Sequence, residues 1–128
     1  MNKYKTILIQ YVFSDPDEIK NGLMYRRYPL TVSTTAIFVF ENEDIMDMWM
    51  LNTYDSLDMI FLNKDKQVQC IHTNTTPLST NTLKCPHNTK YVIEALAGYV
   101  ENQNIQIGDT IIFNTVTMIP KNKQELLY

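Results

Sequence analysis

Lys5–Phe13 alternates in the manner of a strand and is rich in Ile, Val and Tyr. Ser14-Asp15-Pro16-Asp17-Glu18 then predicts a helix start. Asp15 suits the N-cap and Pro16 the first helical position, and Glu18 stands where a capping box needs it. Ile19 and Leu23 fall one turn apart and would face a core. Gly22, with no side chain, would let another backbone approach closely, and the helix should end near Arg27, before Tyr28-Pro29. Thr31–Phe40 is β-branched and aromatic and predicts a buried strand or two strand pieces, with Glu41–Asp44 as a charged turn. Met46, Met48 and Met50 alternate with Asp47, Trp49 and Leu51, a stripe that reads as core filling or as a soft ligand surface. Asn63-Lys64-Asp65-Lys66 separates Asp58–Leu62 from Gln67–Thr73 as a hairpin loop. Asn74–Thr89 has no periodicity and several Thr, Ser and Pro residues; it predicts a long surface loop, functional or mobile. Tyr91–Ala95 reads as a strand, Ala97–Asn102 as a short helix, Ile105–Asp109 as a turn, Thr110–Met118 as a last strand and residues 119–128 as a loosely held tail. Many short strands and two brief helices predict a mainly β (α+β) fold, a compact antiparallel β-barrel or sandwich-like domain.

Within this pattern Trp49–Phe61 stands apart, because two apolar runs flank the polar group Asn52-Thr53-Tyr54-Asp55-Ser56. Along Leu57–Leu62 both faces are apolar except for Asp58, so the strand should be buried and the carboxylate must find donors. Asn52 and Thr53 are the expected donors, with the backbone N–H groups of the turn as alternatives. Asp58 then either pins that turn or sits in a pocket as a base or ligand anchor. Glu94, inside Tyr91-Val92-Ile93-Glu94-Ala95, poses the same question; if the two carboxyls shared a cavity they would form an acid/base pair. Trp49 and Tyr54 read as core aromatics or as stacking surfaces for a ligand ring.

Composition narrows the classes. A chain of 128 residues, 45% hydrophobic and 20% charged, predicts one globular domain over residues 1–128 that needs no metal or disulfide to build a core. A net charge of −3, with few basic residues beyond Arg26, Arg27 and the lysines of the tail, argues against nucleic acid. No run is long enough to span a membrane. No targeting segment is recognisable, and two cysteines without one predict a reduced, cytoplasmic setting. Gly is scarce, so Asn must serve many turns, some at positive φ. The cysteines and histidines fall as Cys70-Ile71-His72 and Cys85-Pro86-His87. A zinc site would need both pairs to converge, and the spacing does not favour it. The alternative is a buried Cys70 beside a strand-end histidine, with Cys85 and His87 on an exposed loop. Nucleophilic catalysis by Cys85 and His87 lacks a third group. The phosphate-cradling, G-x-S-x-G and H-E-x-x-H signatures are absent, and no cofactor is expected.

G-L-M-Y-R-R at 22–27, W-M-L-N-T at 49–53, L-D-M-I-F-L at 57–62 and Y-V-I-E-A-L-A-G at 91–98, followed by I-Q-I-G-D at 105–109, occur in this order. Together they resemble the family called domain of unknown function 192, or uncharacterised protein family 127, over roughly residues 5–113. The resemblance implies a compact, mainly β domain and no established activity. It also implies departures. The family pattern has Gly-Met where this chain has Thr35-Ala36, Lys where it has Leu51, and Pro where it has Ser56, and many members carry a leader that is not seen here.

The expected function is binding of a small ligand or a protein partner at a polar pocket lined by Asn52, Thr53, Asp58 and Glu94, with Arg26 at its rim. The alternatives are a hydrolytic enzyme using Asp58 and Glu94, and a structural or assembly subunit, cellular or viral, whose polar core only fixes the fold.

Overall fold

The computed structural model describes residues 3–128. The elements run β1 (Tyr4–Phe13), α1 (Pro16–Asn21), a tight turn at Met24–Arg26, β2 (Thr35–Asp44), β3 (Asp47–Met48), β4 (Leu57–Leu62), β5 (Val68–His72), β6 (Leu83–Lys84), β7 (Thr89–Leu96), α2 (Tyr99–Gln103), β8 (Thr110–Thr115) and α3 (Lys121–Gln124). Six strands form one sheet in the order β5-β4-β7-β2-β1-β8, and β3 and β6 pair separately. The sheet curls into a half-barrel. At one end its two edges meet: the Val68 N–H donates to the Asp109 carbonyl at 2.9 Å, and the Ile111 N–H to the Lys66 carbonyl at 2.8 Å. The mainly β expectation holds. Within the six-stranded sheet three pairings are antiparallel, but β1 runs parallel to both of its neighbours, β2 and β8.

The strands form where β-branched and aromatic residues recur, and both faces of the sheet are covered. One face collects apolar residues from all six strands, including Ile9, Ile37, Ile60, Val68, Ile93 and Phe113, and is closed by Val100 of α2 and Leu127 of the tail. The other packs Phe13, Phe38, Met50, Met59, Phe61 and Val92 beneath the segments 19–30 and 46–57. β4 is therefore buried along its whole length, as its two apolar faces require. The methionine stripe is core filling: Met50 is fully buried, and Met46 and Met48 pack against the second core.

Several local expectations shift. The start of α1 is as read, with Asp15 as N-cap and Glu18 accepting from the Asp15 N–H at 3.1 Å. It stops at Asn21 rather than near Arg27, because Gly22 takes φ 44° and breaks the helix. What approaches Gly22 closely is the Phe38 ring, not a backbone; a Cβ there would lie 2.8 Å from the ring. β2 begins four residues late because the hydroxyl of Thr34 captures the Thr31 N–H at 3.0 Å and turns the chain. Glu41–Asp44 continues that strand instead of turning. The tail is docked rather than loose: Leu127 is buried, the Tyr128 hydroxyl donates to the Phe113 carbonyl at 2.7 Å, and Lys123 pairs with Glu18 of α1. Three of the positive-φ turn positions are asparagines, Asn52, Asn74 and Asn104.

The long loop 74–88 is also pinned. Cys70 and Cys85 form a disulfide, with Cα atoms 5.8 Å apart, so the expectation of separate thiols is overturned. Sequence separation hid this pairing; the loop folds back so that Cys85 enters the core beside β5. On loop-closure grounds the bridge stabilises by about 3 kcal/mol. Reduction, or Cys70→Ser with Cys85→Ser, should lower the urea-unfolding free energy by about that amount. Gly22→Ala should cost about 1–3 kcal/mol in the same assay, through the unfavourable φ and the clash with Phe38.

Candidate functional site

The register of β4 against β7 decides where the two buried carboxyls go. Asp58 lies opposite Ala95 and Met59 opposite Glu94. Residues directly opposite in a ladder share a face, so Asp58 and Glu94 point to opposite sides of the sheet. The shared cavity and the acid/base pair do not form.

Asp58 is 1% exposed and fully partnered. Its carboxylate accepts from the backbone N–H groups of Asn74 at 3.0 Å, Gly98 at 3.1 Å and Val100 at 2.9 Å. The expected donors Asn52 and Thr53 do not reach it. Asn52 instead turns the chain at φ 53° and gives its carbonyl to the Tyr25 N–H at 2.8 Å, while the Thr53 hydroxyl donates to the Leu51 carbonyl at 3.1 Å. The chain enters α2 through Gly98 at φ 98°, which leaves the first N–H groups of that helix facing Asp58. Asp58 thus ties the 73–75 segment and the start of α2 to β4. A groove of about 340 Å³ lies over it, bordered by Thr73, Asn74, Glu101 and Gln106.

Glu94 has the opposite character. It is 4% exposed, and among the described residues no group donates a hydrogen bond to it. It opens into a small cavity of about 30 Å³ whose walls come from three parts of the chain: Gly22 and Met24, then Trp49, Leu51 and Thr53, then Phe38 of β2. Lys20 is the other charged residue on the lining. Burial pushes the Glu94 carboxyl up to about 8, so at neutral pH it keeps its proton. A neutral carboxyl both donates and accepts.

Thr53 and Leu23 also line an adjoining depression that contains Arg26 and Asp55. Arg26 pairs with Asp55 in a bidentate fork at 3.0 and 3.1 Å, and its guanidinium lies 5.5 Å from the Tyr54 ring centre. Both partners are well exposed, so the pair contributes little in water. Tyr25 meets Tyr54 edge-on at 6.0 Å. Of the five expected site residues, the structure brings Thr53 and Glu94 to one cavity, puts Arg26 in the neighbouring depression, uses Asn52 as a turn and sends Asp58 to the other face. Met24, Phe38 and the loop residue Thr75, whose hydroxyl accepts from the Leu57 N–H at 3.0 Å, were not foreseen. The one advance signal was Gly98 before a short helix, which marks N–H groups in need of an acceptor.

The Cys2His2 alternative fails on chemistry. Both sulfurs are joined in the disulfide, the His72 ring nitrogen Nε2 lies 2.7 Å from the Lys84 carbonyl, and His87 is exposed. No cluster of three metal-ligating side chains occurs among the described residues.

Glu94 and the walls of its cavity all lie within the stretch that a family model matches. The model of the uncharacterised family DUF192, described as "Uncharacterized ACR", matches residues 2–113. The chain belongs to the DUF192 family. Two solved structures are similar to this DUF192 chain. One is a proposed transcription regulator from Sinorhizobium meliloti 1021, 34% identical, covering 76% of this chain and 74% of its own, with a TM-score of 0.72. The other is a protein of unknown function from Novosphingobium aromaticivorans DSM 12444, 29% identical, covering 77% and 70%, with a TM-score of 0.73. No curated protein matches the chain. In this DUF192 fold residues of 22–24, 49–53 and β7 meet at the Glu94 cavity, while β4, paired directly with β7, carries Asp58 on the other face.

Two measurements follow. Glu94 binds its proton more tightly folded than unfolded, so its stabilising contribution is complete below pH 4.5 and is lost as pH rises through about 8. Unfolding free energy should fall by a few kcal/mol between pH 5 and pH 9. In Glu94→Gln that slope should flatten. Asp58→Ala orphans three N–H groups and should cost about 3 kcal/mol or more at pH 7, with Asp58→Asn milder because the amide oxygen still accepts.

Proposed function

We propose that this chain is a binding module in which the Glu94 cavity receives the polar end of a small ligand. The observation that carries the reading is Glu94 itself: a buried carboxyl with no protein donor, at the floor of an opening between two family blocks. No side-chain polar atom among the described residues is both fully buried and unpartnered, so the Glu94 carboxyl reaches the water-sized space of the cavity, and a largely desolvated carboxyl held at such an opening is a candidate for use. About 30 Å³ holds one group the size of a water molecule, so the remainder of the ligand would lie outside, along Trp49, which is 44% exposed. The hydrolytic alternative needs two carboxyls on one substrate; with Asp58 on the far face and committed to three N–H groups, it loses its second member.

The net charge of −3, and the engagement of Arg26 by Asp55, support a partner other than nucleic acid. No helix among the described residues is long and apolar enough to cross a membrane. The Cys70–Cys85 bridge supports an oxidising compartment in place of the cytoplasmic setting expected from the cysteine count.

Trp49 fluorescence and thermal shift against small alcohols, amides and amines test the binding reading. Wild type should respond to at least one of these classes. Glu94→Gln and Leu51→Phe, the second of which enlarges a cavity wall, should lose the response while remaining folded. An equal response in Glu94→Gln and wild type would refute it. Protein unfolded without reductant should show no free thiol; two reactive thiols in protein isolated under non-reducing conditions would refute the oxidising compartment.

A further inference from the structure

We infer that the group received beside Glu94 is a primary ammonium, taken up in exchange for the proton of the Glu94 carboxyl. The inference rests on the binding reading above and names its ligand class.

Three features of the cavity point this way. Its size admits a single ammonium, but not a guanidinium or a carboxylate with its flanking atoms. Its walls present the Phe38 ring, the Trp49 indole and the thioethers of Met24 and Met48, surfaces that favour a cation over an anion. The carboxyl there is one that no protein cation neutralises: no salt bridge involving Glu94 forms among the described residues, although Arg26 and Lys123 both find carboxylate partners elsewhere. Of the charged groups facing Glu94, α1 contributes Lys20, which is exposed; the 48–53 segment contributes none, β2 contributes Phe38, and β4 places Met59 opposite.

The exchange balances. The protonated carboxyl releases its proton to solvent, and the resulting carboxylate accepts a hydrogen bond from the incoming R–NH₃⁺, so the net charge inside the cavity stays at zero. A buried charge pair of this kind is tolerated where a lone buried carboxylate is not. Because burial holds the Glu94 carboxyl up to about 8, uptake below that pH must release a proton, and apparent affinity must climb with pH. A neutral amide or alcohol occupying the same place would release none.

The test uses methylammonium chloride and acetamide as probes on the intact protein. Affinity is followed by Trp49 fluorescence from pH 6 to pH 9 at constant ionic strength, with potassium chloride as control. Calorimetry in two buffers of different ionisation heat counts protons. Methylammonium should bind about tenfold tighter per pH unit up to about 8 and level off above it, with close to one proton released per amine at pH 6. Glu94→Gln should abolish both effects. Leu51→Lys carries its own ammonium into the cavity wall; it should abolish methylammonium binding and flatten the pH dependence of stability. Lys20→Met should leave the proton count unchanged. Binding of acetamide without methylammonium would leave the binding module standing and overturn the ammonium assignment. Amine binding that is independent of pH, or that survives in Glu94→Gln, would overturn it as well. So would a proton count that vanishes in Lys20→Met, which would make Lys20 the partner. No response to either probe at any pH, together with a Glu94→Gln variant whose stability follows pH as wild type does, would overturn both readings.

Discussion

One register governs this structure: β4 against β7, at the centre of a sheet that is buried on both sides. A slip of one residue would exchange every side chain between the two cores and carry Asp58 and Glu94 with them. The register therefore fixes two carboxyls in apolar surroundings at neighbouring rungs, facing opposite ways. Their fates differ for a reason in the backbone. Asp58 faces the end of the sheet where β7 leaves its ladder and turns into α2, so unpaired N–H groups of Gly98 and Val100 are within reach. Glu94 sits inside the ladder between β2 and β4, where its neighbours' N–H groups are already spent on strand pairing. The same kind of residue is a structural acceptor on one face and an uncommitted acid on the other.

The surroundings of Glu94 are costly to build. Tyr25, Arg26, Asn52 and Leu78 all have positive φ, between 52° and 64°, and none is glycine. Each such residue stores of order 1 kcal/mol or more. What holds them is a set of cross-segment bonds: Tyr25 N–H to the Asn52 carbonyl at 2.8 Å, Leu78 N–H to the Thr53 carbonyl at 3.0 Å and Met50 N–H to the Ser79 carbonyl at 3.2 Å. The 74–88 loop is thus the outer support of the 49–53 segment, and the disulfide at Cys85 anchors that loop to β5. The bridge is thus joined to the cavity wall through this chain of contacts, without touching Glu94 directly.

What could be read from the sequence was what is decided locally or by periodicity. Asp15, Pro16 and Glu18 specify a helix start within four residues, and the structure has it. Leu57–Leu62 announces burial on both faces, and β4 is buried throughout. Asp58 had to be satisfied, and it is, but its donors lie 16, 40 and 42 residues along the chain, at distances no local pattern encodes. The Cys70–Cys85 pairing, the docking of Leu127 and the parallel neighbours of β1 are likewise products of tertiary closure. The candidate site was half legible: Thr53 and Glu94 were named, but the acid/base idea required knowing on which face each carboxyl stands. Period-two alternation gives relative faces within a strand and says nothing across strands until the register is known.

Leu51 bears on why Glu94 is left without a partner. It lines the same cavity. A lysine there would stand within the wall that faces Glu94 and supply the ammonium from the chain itself. With leucine that position adds no charge, burial holds the proton on the carboxyl, and in the ammonium proposal the cation comes from outside the fold.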